Sequence, residues 1–118
     1  MGAVYTALRD YFASSGLDLE EHPDDGWIAT EGFGANGSWL LVGQAYEQLE
    51  CACVYCVLPE RVPAPRRGAV ALLLTRINHG LAIGNFELDL DDGEVRFKAS
   101  ATAPTREQLK SLVAVALG

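Results

Sequence analysis

The chain has 118 residues, 49% of them hydrophobic, and its sixteen acidic residues outnumber nine Lys and Arg to give a net charge of −7. This composition predicts one globular domain over 1–118 and argues against a nucleic-acid-binding protein, which needs a basic footprint. The longest aliphatic run, 69–74, is far too short for a membrane span. Closely clustered cysteines and the lack of a recognisable secretory signal indicate a cytoplasmic protein.

The first half of the chain predicts one helix and then a run of strands. Apolar residues recur at helical spacing over about 3–15. The acidic segment 17–25 follows, and we interpret it as a solvated connector. Aromatic and β-branched residues then become dense, and Asn36-Gly37 suits a tight hairpin turn. Three strands are expected near 27–34, 38–46 and 49–58.

The second half predicts a helix, a hairpin and a final helix. Several prolines end the run of strands, and apolar spacing then indicates a buried helix over about 65–80. A hairpin is expected over 85–99, and Thr105 and Gln108 have capping-box spacing at the start of the last helix. The order helix, three strands, helix, two strands, helix predicts an α+β fold with an antiparallel sheet packed by helices.

The segment from Gly32 to Gly37 spells G-x-G-x-x-G, which has two interpretations. In a dinucleotide-binding unit such glycines let backbone N–H groups approach a pyrophosphate. Trp39 to Val42 is strand-like, however, and Gly43 interrupts any helix that would follow. A hairpin is therefore the favoured interpretation, with a nucleotide site as the alternative.

Cys51, Cys53, Cys56 and His79 are the residues that suggest metal or catalytic chemistry. On a strand Cys51 and Cys53 share one face and Cys56 points to the other, so the three thiols do not converge on one metal. His79 lies near a helix end without a recognisable catalytic neighbour. We assign no catalytic, cofactor-binding or metal-binding residue and expect no cofactor.

The segment NFELDLDDGEVRFK, residues 85–98, packs many charges around one glycine. A calcium loop needs its glycine at position six, and here it comes one place early. A hairpin with Asp92-Gly93 as a two-residue turn explains the pattern better. It places Leu90 opposite Val95, and it collects the apolar residues on one face. The expected pairs also include Leu88 with Phe97, Asp89 with Arg96 and Glu87 with Lys98.

Three segments in this order resemble the YbjN-like family of bacterial sensory transduction regulators: LPERVP at 58–63, LTRIN at 74–78 and GNFELD at 84–89. The resemblance implies a type III secretion chaperone-like fold, with helices against a five-stranded sheet, and a homodimer. It implies no catalytic centre. The residues that match motif positions, or that form the acidic turn, are interpreted as structural: Asn78, Gly84, Asn85 and Gly93.

The leading functional hypothesis is a noncatalytic dimeric module that binds a protein or peptide partner, as a regulator or chaperone-like adaptor. Its surface is expected to include apolar residues of the sheet that one helical layer leaves uncovered. These residues are Trp39, Leu41, Tyr46 and Tyr55. The alternative is a small-molecule sensor domain with a pocket between helix and sheet. An enzyme is disfavoured because no coherent acid–base set is present.

Overall fold

The computed structural model describes residues 2–34, 37–102 and 105–117, with the backbone only at 33, 34 and 106. Its helices are α1 (Ala3–Ala13), α2 (Arg67–Gly80) and α3 (Arg106–Leu117). Its strands are β1 (Glu20–His22), β2 (Trp27–Gly34), β3 (Gly37–Tyr46), β4 (Cys51–Val57), β5 (Asn85–Leu88) and β6 (Val95–Thr102). The strands form one antiparallel sheet in the order β1-β2-β3-β4-β6-β5. The predicted α+β class is confirmed.

The hydrophobic core lies between one face of the sheet and the helices α1 and α3. Helix α1 buries one apolar stripe because Val4, Leu8 and Phe12 recur every four residues. Each such side chain contributes roughly 1.5–3 kcal/mol when it is fully buried. The largest fully buried side chains come from both layers: Tyr5, Leu8, Ile28, Val54 and Leu109.

The helices α1 and α3 begin at side-chain caps of different kinds. At α3 the predicted capping box is present, because Gln108 N–H donates to Thr105 Oγ1 and Thr105 N–H donates to Gln108 Oε1. Helix α1 has no acidic residue in its first turn. The carboxylate of Glu47, from the 3₁₀ turn after β3, instead accepts the N–H groups of Val4 and Tyr5 at 2.9 and 2.8 Å. A distant residue therefore satisfies donors that a helix start leaves unpaired.

Strand β1 was not expected, and it makes the sheet six-stranded rather than five-stranded. Glu20–His22 lies within the segment 17–25 that we interpreted as a connector, and it pairs with β2. A short edge strand can carry charged side chains on an exposed edge, so an acidic composition did not exclude a strand. The hydroxyl of Thr30 donates to the carbonyl of Asp18 at 2.8 Å and fixes the approach to β1.

The hairpin of β5 and β6 forms, but its predicted register is wrong by two residues. Val95 pairs with Leu88 rather than with Leu90. The two-residue turn is replaced by a longer loop, in which Asp89 and Asp92 accept backbone N–H groups through their carboxylates. A shift of two keeps the side chains that remain in the two strands on their expected faces, because side chains alternate with a period of two. Leu90 is left exposed in the loop.

Helix α2 differs most from expectation, since the helix predicted to be buried contains no buried residue. It lies beside the edge strand β5. Val70 and Leu74 face inward and are half-buried, whereas Leu73 and Ile77 are exposed. It begins at Arg67 because 64–66 form a 3₁₀ turn.

The link between β2 and β3 was predicted as an Asn36-Gly37 turn. Asn36 lies outside the described residues. Gly37 belongs to β3, where it pairs with Gly34 at the end of the hairpin. The two strands themselves match the expected ranges to within one residue.

Candidate functional site

One face of the sheet is not covered by α1 or α3, and we call it the open face. Side chains alternate between the faces along each strand, so the strand register assigns every residue to one of them. The open face carries a patch of apolar and aromatic residues around Gln44: Trp27, Ala29, Leu40, Val42, Tyr46, Tyr55 and Val57. A groove of about 430 Å³ runs among these residues. Glu20, Glu94 and Arg96 provide charge at its border.

Tyr55 on β4 is only 7% exposed although it belongs to the open face. The guanidinium of Arg96 lies 4.2 Å from the centre of its ring and donates to Glu87 at 2.7 Å. Burial raises the pKa of the Tyr55 hydroxyl well above its ordinary value, and a hydrogen bond with Tyr46 acts in the same direction. Tyr55 is therefore a neutral packing group at neutral pH, not an activated nucleophile.

Helix α2 presents the largest cluster of exposed apolar side chains on a regular element. Leu72, Leu73 and Ile77 are 56%, 55% and 39% exposed, and we call these three residues the α2 surface. The helix contains no acidic residue, whereas Arg67 and Arg76 add positive charge in an acidic chain. Further exposed apolar residues lie on the flanking segments: Leu58, Leu81, Ile83 and Leu90.

The structure divides the four residues predicted for a partner surface between the two faces of the sheet. Leu41 is 5% exposed and lies in the core beneath the helices, and Trp39 packs against that core. Tyr46 and Tyr55 belong to the open face. The four residues therefore do not form one continuous surface. The sequence interpretation counted apolar residues along the strands without separating the two faces.

Asn78, Gly84 and Asn85 occupy the junction between α2 and β5. The side-chain amide of Asn78 donates to the carbonyl of Phe86 at 3.0 Å and accepts its N–H at 2.7 Å. Gly84 has φ +77°, and a Cβ there would lie 2.7 Å from the carbonyl oxygen of Lys98. Asn85 Nδ2 also donates to the carbonyl of Phe86 at 3.3 Å. These contacts fix the helix to the free edge of the sheet.

Two other glycines singled out in the sequence are required by packing and backbone conformation. Gly93 has φ +81°, and a Cβ there would contact the carbonyl oxygen of Val62. Gly32 lies under the ring of Trp39 on the neighbouring strand. The first glycine of G-x-G-x-x-G thus belongs to a paired strand, not to the strand-to-helix turn that a dinucleotide site needs.

The three cysteines and His79, the remaining candidate residues, have few neighbouring groups that could take part in catalysis or metal binding. Cys51 and Cys53 share the open face and Cys56 lies on the other, all as free thiols. Burial raises the pKa of Cys53 and of Cys56, so neither thiol is activated. Within 2–34, 37–102 and 105–117 no group of three or more His, Cys, Asp or Glu side chains is placed to hold a metal. His79 is exposed in the last turn of α2.

One family matches the sequence over residues 5–118, and its description reads "Putative bacterial sensory transduction regulator". The chain belongs to the YbjN family. The match spans nearly the whole sequence and confirms the resemblance drawn from the three short segments. Among curated proteins no sequence matches the chain.

Two solved structures share the fold of this YbjN-family chain. A chain of the ExsC–ExsE complex superposes with a TM-score of 0.69 at 17% identity, covering 99% of this chain and 90% of that one. YbjN from E. coli, described as "a putative transcription regulator", superposes with a TM-score of 0.68 at 15% identity, covering 98% and 86%. The expected type III secretion chaperone-like fold is thereby confirmed.

The sequence did not reveal two features of this YbjN-family chain, the α2 surface and strand β1. The exposure of Leu73 and Ile77 was missed because apolar residues at helical spacing were interpreted as buried. The absence of acids from α2, in a chain of net charge −7, was the available signal. Strand β1 was also missed, although Leu17 and Leu19 alternate with acidic residues just before it. No described helix is long and apolar enough to cross a membrane.

Proposed function

We propose that this chain is a single-domain, noncatalytic module that forms a homodimer and binds a protein or peptide partner, as a regulator or chaperone-like adaptor. The observation that carries the proposal is the α2 surface. A regular helix in a monomer normally buries one apolar stripe, and α2 buries none of its residues fully. Exposed apolar surface of this kind marks protein–protein interfaces.

Charge supports a second copy as one occupant of the α2 surface. Helix α2 contributes the positive charges of Arg67 and Arg76 and no acid. The border of the open face carries two acids, Glu20 and Glu94, beside one base, Arg96. A two-fold contact presents the same surfaces on both chains, so a basic helix on one chain can meet the acidic border on the other.

The similar fold of a chain in the ExsC–ExsE complex supports a protein partner in addition to the dimer. That structure is a complex of two different proteins, so this architecture can present a surface to another protein. The open face offers Trp27 and Tyr46, aromatic residues of the kind that anchor protein interfaces. The small-molecule alternative draws no support from the groove on the open face or from the groove beside β1, since neither lies between the helices and the sheet.

The proposal also covers the role of the motif residues and the location of the protein in the cell. Asn78, Gly84, Asn85 and Gly93 are proposed as structural, since each has a backbone or packing contact that explains it. The three free thiols suit a reducing compartment, and we propose the cytoplasm. Fractionation of the native cells with an antibody to the chain tests this location.

Sedimentation equilibrium at micromolar protein tests the dimer. The expected mass is twice the 12.7 kDa of one chain. Leu73→Glu places a charge in the α2 surface and should yield a folded monomer, because Leu73 is 55% exposed and its replacement does not disturb a core. Leu49→Glu is the matched control, since Leu49 is 70% exposed on the turn after β3, and it should remain a dimer. A monomeric parent chain, or a dimeric Leu73→Glu variant, would overturn the proposed dimer surface.

A further inference from the structure

Strand β2 is longer than the edge strand that pairs with it. Its eight residues all pair with β3, from Trp27 to Gly34. On its other side β1 pairs only as far as Ala29, which lies opposite Glu20. The second half of β2 therefore has one edge that no described strand covers.

The direction of the backbone groups on this edge follows from a single hydrogen bond. Ala45 N–H donates to the carbonyl of Gly26 at 2.7 Å, so residue 26 points its backbone groups toward β3. Successive residues of an antiparallel strand alternate between the two sides. Glu31 and the residue at 33 consequently direct their N–H and C=O groups away from β3, to the uncovered side. Such a row of free groups is a template for an added strand.

A groove lies along the same edge and is acidic. It has a volume of about 640 Å³ and runs between the segment from Leu17 to Glu20 and the strand β2. Asp18, Glu20 and Glu31 line it together with apolar side chains, and no Lys or Arg does. The groove leaves space beside the free backbone groups and offers negative charge to whatever fills it.

We propose that the free edge of β2 around Glu31 binds an extended, basic segment of a partner protein, which adds to the sheet as a further strand. The inference rests on the proposed protein-binding function and names the site and the chemistry of the partner. Main-chain hydrogen bonds provide the affinity in this type of recognition, and alternate side chains provide the specificity. Lys or Arg at alternate positions of the segment would face Glu31.

A second copy of the chain is a poor occupant of this edge. Antiparallel pairing of two β2 edges about a two-fold axis brings Glu31 of one copy close to Glu31 of the other, with Asp18 and Glu20 nearby. Like charges opposite one another destabilise a strand pair. The edge is thus distinct from the α2 surface, which we assign to self-association.

Fluorescence anisotropy with a defined probe tests the site. The probe is a fluorescein-labelled peptide in which lysine and valine alternate over about eight residues, within the usual length of a strand. Its control has the same side chains but carries N-methyl groups on alternate backbone nitrogens, which removes the hydrogen bonds of a ladder. We expect saturable binding of the probe below about 1 mM and at least about tenfold weaker binding of the control.

Variants at residue 31 separate the backbone from the charge. Glu31→Gln removes the charge and keeps the N–H, and should weaken binding a few-fold. Glu31→Pro also removes the N–H, which an edge strand tolerates, and should weaken binding at least about tenfold further. Glu31→Lys reverses the charge and should abolish binding of the lysine probe. If the proline variant does not fold, the N-methylated control and Glu31→Lys still decide the result.

The outcomes distinguish this site from the proposed function as a whole. Absence of saturable probe binding, or equal binding of the N-methylated control, would overturn the strand-addition site while leaving the dimer measurement unaffected. Conversely, a monomeric parent chain that binds the probe through Glu31 would overturn the proposed dimer and retain the site.

Discussion

Asn78 of α2 pairs with the backbone of Phe86 on β5 as a neighbouring strand would, donating at 3.0 Å and accepting at 2.7 Å. The side-chain amide thereby satisfies both backbone groups of one residue on the edge strand β5. It also joins the least buried helix to the sheet. The segment LTRIN, from which the family resemblance was partly drawn, therefore ends at a residue with a defined structural task.

Asn78→Ala should lower the free energy of unfolding by about 1–3 kcal/mol, because the N–H of Phe86 loses its acceptor and the C=O of Phe86 keeps only the longer hydrogen bond from Asn85. Asn78→Asp keeps the acceptor and loses the donor, so its loss should be smaller. Urea unfolding followed by circular dichroism measures both. Equal stability of Asn78→Ala and the parent chain would show that the two hydrogen bonds do not hold α2 to the sheet.

Glu47→Ala should destabilise the chain by about 1–2 kcal/mol, since the N–H groups of Val4 and Tyr5 lose their acceptor and α1 loses a negative charge at its positive end. Gln48→Ala, on the same exposed turn, is the matched control and should change little. Differential scanning calorimetry on the three proteins checks the ranking. A larger loss in the Gln48 variant would contradict the capping role of Glu47.

Gly93→Val should cost about 2–4 kcal/mol of stability, because a β-branched residue resists φ +81° and its Cβ would contact the carbonyl oxygen of Val62. Gly68→Ala is the control, a glycine replacement that should not destabilise the chain. A Cβ at Gly68 meets no described atom within 4 Å outside the adjoining residues and the local helix backbone, and alanine favours the helix, so this variant should be as stable as the parent or more stable. An unchanged melting temperature for Gly93→Val would refute the conformation of the loop.

Asp92 should contribute to the acid sensitivity of the fold. The N–H of Glu94 is the main cause that lowers the pKa of the Asp92 carboxyl, and Arg61 adds to it at 2.6 Å. Because the folded-state pKa lies below the unfolded value of about 3.9, the stabilisation is present above that value and is lost as the pH falls through the folded-state pKa.

Asp92→Asn keeps an oxygen for the Glu94 N–H but loses the charge. The free energy of unfolding of this variant should therefore fall less steeply below about pH 4 than that of the parent chain. Asp91→Asn removes one charge from the same loop and serves as the control. Urea titrations at successive pH values give the two slopes, and identical slopes for the parent and Asp92→Asn would rule out the contribution.

The elements that local pattern determines were predicted well. The Thr105 and Gln108 capping box forms as its spacing indicates, and β2 begins at Trp27 and ends at Gly34 as expected. The capping box depends on contacts within a few residues, and the strand depends on a strict alternation of side chains. The register of β5 and β6 was missed because Asp89 and Asp92 build a loop by accepting backbone N–H groups, and this loop competes with a tight turn at Asp92-Gly93.

Whether an apolar residue belongs to a candidate surface depends on which helices and strands pack over it. A short stretch of sequence does not contain that information. Ile77 and Leu8 look alike in sequence, each on an apolar helical stripe, yet Leu8 is fully buried and Ile77 is 39% exposed. The difference arises because α1 lies over the sheet whereas α2 lies beside its edge. For the same reason Leu41 and Tyr46 were grouped together although they lie on opposite faces.

The weak attachment of α2 has a consequence for the motions of an isolated chain. Helix α2 has no buried side chain and is held by half-buried residues, the Asn78 amide and the Arg67 guanidinium, which donates to the carbonyls of Val62, Leu90 and Asp91. Such a helix opens at a lower free energy than the core does. Its backbone amides should exchange with deuterium well before those of β3 and β4. Self-association through Leu73 would slow that exchange as the protein concentration rises, so the rate of labelling at α2 becomes a direct gauge of how much dimer is present.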